Sequence, residues 1–392
     1  MKHCYFFYWV ICFLLPGCTP HANHNTDIYT IDFVQCFDTE RQMAISEIAD
    51  RVEYIELKTP EDVIITKIWD VKQIDKFLII RARLDVYLFH TNGQFIRQVG
   101  SRGQGPGEYL VPGEIEIDRK KKEIVISDTQ KLLFFDLDGN FLRSKIIMDI
   151  EDFGIFDSIL WTGEVIYSAN RQKYKAVAVS LQDPEDTLAC IPNALYGIIK
   201  SDKTGATNFP LTKLFYHKND SLFFKGDESN DTIWRLSGAH AEPYVFIDMG
   251  KYKMPVEFER WVSDEAYRRN RDKYWCVPSA VEDGRYFFLL SQNRGSTKAN
   301  TILNYIVYDK KQKKGFSVKD SKGIGLTDDI LGGPPVWARW ISDEYYINAI
   351  TAEELLEKVK SGDFTPPPPL KEQLSRMNGE SNDLIILCRR KK

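Results

Sequence analysis

Chemistry begins with side chains that titrate, ligate or attack, so the histidines come first. They are His3, His21, His24, His90, His217 and His240. None stands in H-E-x-x-H or in another pair at helical spacing that would hold a metal. No G-x-S-x-G nucleophile elbow occurs. The segment Asp136-Leu137-Asp138-Gly139 supplies only two of the acids that a D-x-D-x-D-G calcium loop requires. Residues 100–109 carry four glycines and a proline, which suggests a phosphate cradle. No Gly-Lys-Ser/Thr closes the stretch and no helical pattern follows it, so that reading fails. The sequence therefore offers no catalytic residue, no metal ligand and no cofactor site.

What it does offer is binding chemistry. The 100–109 loop reads first as a crossover between structural units, with glycines serving positive backbone φ. A functional reading instead puts Arg102, Gln104 and Glu108 at a ligand-binding mouth. A second set is aromatic. Trp261 and Trp275 lie with Tyr267 and Tyr274 in a charged, near-helical stretch, and Trp337 and Trp340 follow Gly332, Gly333, Pro334 and Pro335. Such rings line carbohydrate or peptide clefts, or else bury an appended helix against the body of the fold. Trp261, Trp275 and Trp337 are the aromatic candidates for ligand binding.

The elements that must hold these residues repeat. Phe89, Gly93, Phe95 and Arg97 map onto Phe135, Gly139, Phe141 and Arg143 at a constant offset of 139 − 93 = 46 residues. A period in the forties built from short strands and tight turns marks propeller blades. Asn92-Gly93 and Asp138-Gly139 predict two-residue hairpin turns with positive φ at both central positions. Strand pairs continue to the end of the chain, including 164–168 with 176–180, 221–225 with 231–236, 285–290 with 304–309, and a last strand near 384–387. This predicts an all-β, six-bladed propeller, with helical insertions near 256–274 and 351–377. Thr351 with Glu354 forms a capping box for the second insertion, and Pro366 to Pro369 reads as a stiff spacer. The ring is expected to close by pairing the late strand with one near 51–58 or near Tyr345.

Residues 1–17 have the layout of a signal peptide: a basic start at Lys2, an apolar run from Tyr5 to Leu15, then Pro16 and Gly17. Leu15, Gly17 and Cys18 resemble a bacterial lipobox, which implies cleavage after Gly17 and lipid on Cys18. Residues 18–27 then form a lipid-anchored tether and 28–392 the propeller. The full chain carries a formal charge of −4. That mild acidity argues against a nucleic-acid partner, which would call for a basic stripe. Cys36, Cys190, Cys276 and Cys388 remain beyond the leader, without a C-x-x-C pair. Three full disulfide pairings are open to them, as are buried free thiols.

With these features in place, the chain resembles the six-bladed propeller lipoproteins of Bacteroidales, relatives of the NHL-repeat proteins. The resemblance is carried by Tyr54-Ile55-Glu56-Leu57, by Phe89 with Asn92, Gly93 and Phe95, and by the Gly103–Tyr109 loop. Asp231 to Arg235 and the closing 382–387 segment also match. It implies a cell-envelope protein, lipid-anchored to the outer membrane on the periplasmic face rather than the surface. Two functions remain open. One is a binding or scaffold module for a glycan, a peptide or an envelope protein. The other is a propeller lyase, lactonase or glycan hydrolase with its site in the central channel. Fold alone cannot choose between them.

Overall fold

The structure is a computed structural model. It describes residues 28–391 apart from 129, 148–149, 151, 164–172, 184–185, 194–195, 197–200, 201–212, 227–229, 256–264, 297–299 and 320–324. Among the described residues six blade sheets are built of antiparallel strands, and a short parallel pair, Ser101–Arg102 with Glu108–Tyr109, lies in the loop after the first. Blade 1 consists of Ile68–Ile74, Phe77–Ala82, Asp85–His90 and Phe95–Gln98. Blade 2 consists of Ile115–Asp118, Glu123–Asp128, Lys131–Asp136 and Phe141–Ile146. Blade 3 consists of Asp152–Phe156, Ile159–Gly163, Tyr174–Ser180 and Thr187–Pro192. Blade 4 consists of Phe215–Lys218, Ser221–Phe224, Thr232–Ser237 and His240–Asp248, and Tyr29–Asp32 adds a fifth, parallel strand outside them. Blade 5 runs from Trp275–Glu282 through Tyr286–Asn293 and Leu303–Asp309 to Lys314–Val318, with Glu40–Arg41 parallel at its edge. Blade 6 consists of Trp340–Ile341, Tyr345–Ile350, Leu384–Arg390 and Ala49–Glu56.

The strands carry unbroken apolar runs because each sheet packs on both faces. In blade 1, Leu78, Ile80, Tyr87 and Phe89 pack with Ile347, Ile385 and Leu387 of blade 6. The alternate residues Ile79, Val86 and Leu88 pack with Ile117, Ile124 and Phe135 of blade 2. Successive side chains on a strand point to opposite faces, so one run serves two interfaces. The same division recurs between blades 2 and 3, 3 and 4, 4 and 5, and 5 and 6. The core is thus a ring of inter-blade layers.

The 46-residue repeat appears as equivalent geometry. Phe89 meets Phe95 edge-on at 5.4 Å, and Phe135 meets Phe141 at 5.8 Å. Both strand pairs shift register just before those phenylalanines. The turns differ from the two-residue type expected. Gly93 and Gly139 take φ of 83° and 80°, while Asn92 and Asp138 are not among the positive-φ residues. His90 N–H donates to Gln94 O and Gly93 N–H to His90 O, with the same pattern at Asp136, Asn140 and Gly139. This is a three-residue loop whose left-handed glycine relieves the strain of the register shift.

The ring closes through blade 6. Leu384–Arg390 pairs on one side with Tyr345–Ile350 and on the other with Ala49–Glu56. Both candidate partners from the sequence are therefore used, because a central strand needs two neighbours.

Several sequence expectations shift. The partner of Tyr174–Ser180 is Ile159–Gly163; the expected strand at 164–168 lies outside the described residues. In the first insertion, helix Glu265–Asn270 is described, whereas 256–264 is not. The second insertion forms helices Ala352–Ser361 and Pro368–Leu374. Thr351 caps the first by accepting from Glu354 N–H, and Gly362 ends it at φ 82°. The spacer prolines instead open the next helix, where a residue without N–H loses no hydrogen bond. The short helix Phe33–Asp38, capped by Asp32, was not expected; six residues are too few for a helical period to register. The four cysteines beyond the leader are not joined in disulfides; Cys36, Cys276 and Cys388 are buried, Cys276 Sγ donating to Gln292 O at 3.4 Å, and Cys190 is exposed. No described helix is long and apolar enough to cross a membrane.

Candidate binding cleft at the top face

Each blade begins with its innermost strand. Strand alternation puts the starts of these strands, the blade-to-blade connections and the hairpin between each blade's middle strands on one face, called the top. The helices Ala352–Ser361 and Pro368–Leu374 sit between the two middle strands of blade 6 and so rise from that face. A cleft of about 830 Å³ opens there, between blades 5, 6 and 1 and over the channel. Its walls are aromatic, with Trp69, Tyr305, Trp337 and Trp340, and its floor is charged, with Arg81, Glu114, Lys213 and Arg339.

The aromatic walls are fixed by packing. Trp337 stacks on Tyr305 with ring centroids 4.6 Å apart and meets Phe288 edge-on at 5.6 Å. The guanidinium of Arg339 lies 4.4 Å over the Trp340 ring. Trp69 is the open ring, 44% exposed, with the Arg81 guanidinium 5.2 Å from its centroid. Asn348, Ser279 and Glu354 add polar groups to the walls.

The floor is an ordered charge network. Arg81 donates to Glu114 at 2.6 Å, and Lys213 donates to Asp70 at 2.9 Å and also to Glu114. Burial works to raise Asp70, but Lys213, Lys72 and Arg81 outweigh it and hold its carboxyl at about 2. Burial likewise disfavours the charge on Lys213, yet Asp70, Glu114 and Asp152 keep its pKa above the ordinary lysine range. Asp152 responds oppositely. Burial dominates and pushes it to about 7, against the opposing pull of Lys213. Its two oxygens accept from Phe153 N–H and Leu214 N–H, both at 2.8 Å.

A narrow cavity of about 60 Å³ continues down the channel past Lys72, Glu116 and His217. Lys72 donates to Glu116 at 3.1 Å, and His217 Nε2 lies 3.6 Å from the same carboxylate. Burial lowers the His217 pKa despite Glu116, so its imidazole is neutral at neutral pH. At the bottom, Glu282 accepts from Tyr216 Oη at 3.0 Å, Lys218 Nζ at 2.9 Å and Lys310 Nζ. Among the described residues no group of three or more His, Cys, Asp or Glu is placed to hold a metal ion.

The profile of a family described as a domain of unknown function, DUF4934, matches residues 28–389. The chain belongs to that family. No match is found among curated proteins. Among solved structures, a Bacteroides fragilis protein described as exported superposes with a TM-score of 0.70 at 19% identity. The match covers 93% of this chain and 100% of that one. The N-terminal domain of Nup159 gives a TM-score of 0.40 at 10% identity, over 82% of this chain and 77% of its own. A protein of unknown function from Bacteroides caccae gives 0.35 at 7%, over 64% and 80%. The first of these likenesses supports the propeller architecture of this DUF4934 member.

Of the residues singled out in the sequence, Trp337 lines the cleft. Arg102, Gln104 and Glu108 lie in the loop joining blades 1 and 2 and do not line it. Arg102 pairs with Asp85 at 2.9 Å, and Glu108 accepts from Gly105 N–H at 2.7 Å. The loop serves as the crossover: Tyr109 is fully buried between the two blades, and a Cβ on Gly100 would come within 2.8 Å of its ring. Trp275 starts the inner strand of blade 5 and packs edge-on to Phe37 at 4.7 Å. Trp261 and Cys18 lie outside the described residues. His90 stacks on Phe77, whereas its counterpart Asp136 accepts from the turn amides of Asp138 and Asn140.

The residues missed are Trp69, Arg81, Glu114, Lys213 and Arg339. The available signal was charge at period two along or just before the first strand of a blade: Asp70 and Lys72, then Glu114, Glu116 and Asp118. Charges alternating inside an otherwise apolar strand must face a polar lumen.

Proposed function

We propose that the protein is a propeller binding module of the cell envelope whose ligand occupies the top-face cleft. The carrying observation is the union of an open tryptophan with a charged floor in one cavity of about 830 Å³, a size suited to a small ligand or a few sugar units. Propeller tops collect such clefts because connections from every blade converge there. The exported description of the Bacteroides fragilis structure is consistent with an envelope location, and lipid on Cys18 would tether the ring to the outer membrane on its periplasmic face. The ligand classes are a glycan, a peptide or an envelope protein.

One observation favours the enzyme alternative: a channel carboxyl, Asp152, raised to about 7, the range of a general acid or base. Against it, both Asp152 oxygens already accept backbone N–H groups, and the other floor carboxylates are held in ion pairs. A binding role needs none of them free.

Glycan and peptide arrays probed with the wild-type chain and with Trp69→Ala and Glu354→Lys variants test the reading. Both side chains are exposed enough to change without unfolding the ring. Capture that Trp69→Ala weakens and Glu354→Lys shifts in either direction supports the cleft. Capture indifferent to both places the site elsewhere.

A further inference from the structure

We infer that the ligand is an acidic saccharide, with Arg339 receiving a sugar carboxylate and Trp69 carrying an apolar sugar face. This rests on the cleft being the binding site and names the ligand class. The charge pattern of the floor supplies the first argument. Arg81 is matched by Glu114, and Lys213 is shared between Asp70 and Glu114. Arg339 makes no ion pair among the described residues. Its Nη atoms reach only Ile68 O at 3.5 Å and Trp69 O at 3.3 Å, near the outer limit of a hydrogen bond. A guanidinium presents five N–H donors in a rigid fork, so most of its capacity is left to solvent and open to a ligand. A carboxylate fills such a fork with two parallel charge-assisted bonds.

The wall supplies the second argument. A sugar ring has an apolar face of C–H groups and a rim of hydroxyls. Trp69 offers a flat, solvent-open ring in the same cleft, with the Arg81 guanidinium 5.2 Å from its centroid, and the Arg339 side chain donates to the Trp69 carbonyl. Asn348 and Glu354 line the same cleft and supply a donor and acceptors for hydroxyls. A uronic acid presents a carboxylate, an apolar face and hydroxyls within a single ring. A peptide C-terminus would satisfy Arg339 but brings neither the flat apolar face nor the rim of hydroxyls.

The test is calorimetric titration of the full chain. The probes are oligosaccharides of galacturonate, of mannuronate and guluronate, and of glucuronate-containing glycosaminoglycans. They are accompanied by the methyl ester of the galacturonate series and by a set of peptides with free C-termini. At least one acidic oligosaccharide is expected to bind. Arg339→Gln should weaken it about tenfold or more, the loss of one charge-assisted contact. The corresponding ester or neutral form should bind weakly and ignore Arg339→Gln, while Trp69→Ala weakens every saccharide. Arg339→Lys, which keeps the charge without the fork, should fall between, and it serves if the glutamine variant does not fold. Three results would overturn the inference: no acidic oligosaccharide binds, acid and ester bind alike, or only peptides bind through Arg339. Saccharide binding that depends on Trp69 but not on Arg339 overturns the acidic class and leaves the cleft in place. Saccharide binding that depends on neither removes the cleft as well.

Discussion

Deleting residues 383–392 should unfold the whole ring rather than fray one edge. The removed strand, Leu384–Arg390, lies between Tyr345–Ile350 and Ala49–Glu56, so its loss exposes two strand edges at once. Leu384, Ile385, Ile386 and Leu387 are 0–1% exposed. They serve two interfaces: Leu384 and Ile386 pack toward blade 5, and Ile385 and Leu387 pack toward blade 1. At roughly 1.5–3 kcal/mol per large side chain, the burial lost is about 6–12 kcal/mol. That matches the entire stability of a typical domain, about 5–15 kcal/mol. Thermal melting of the full and truncated chains, followed by far-ultraviolet circular dichroism, measures the effect. The truncated chain should lack a cooperative transition or aggregate, and a synthetic peptide of residues 382–392 should partly restore the transition by strand addition. A truncated chain that melts cooperatively at the wild-type temperature would refute the closure argument. Removing residues 1–27 is the control and should leave the melting temperature unchanged.

Other outcomes follow from single positions. Gly139→Ala should cost about 1–2 kcal/mol from left-handed strain, since the nearest atom to the new Cβ is the flexible Arg97 Cδ at 2.7 Å. Gly93→Ala should cost about 2–5 kcal/mol, because strain is joined by a clash with the backbone oxygen of Glu56 at 2.0 Å; equal costs in chemical denaturation would contradict this. Asp152 binds its proton more tightly folded, at about 7, than its ordinary 3.8. It therefore withdraws stability as pH rises between those values; below them it costs nothing, and above them the full penalty stays and no longer changes with pH. Asp152→Asn should gain on the wild type across that window by up to about 1.4 kcal/mol per pH unit, and a constant difference from pH 4 to 8 would show the carboxyl to be unperturbed. Cys18→Ser should release the protein from the membrane fraction or block its processing; unchanged retention and processing would count against lipidation.

The sequence by itself determined the repeating unit, and with it the propeller. Strand pairing, turn glycines and apolar runs are local, so a constant 46-residue offset was visible without any contact map. The apolar run near 384–387 marked a late strand, and its place between Tyr345–Ile350 and Ala49–Glu56 came from the register of blade 6. Local signals gave the helix after Thr351, whose cap lies within four residues of its partner. They did not give the turn type, since positive φ at Gly93 alone depends on the register shift at Leu88 and Phe89. The cleft was decided only by tertiary structure. Trp69 and Arg81 come from blade 1, Glu114 from the approach to blade 2, Lys213 from the approach to blade 4, and Arg339 from the approach to blade 6. Residues so far apart in sequence become neighbours because a closed ring brings the first strand of every blade to one axis. No motif spacing can encode that convergence. The loop that looked most specific, residues 100–109, turned out to be held by Asp85 and by the buried Tyr109, so its glycines answer to the crossover between two blades.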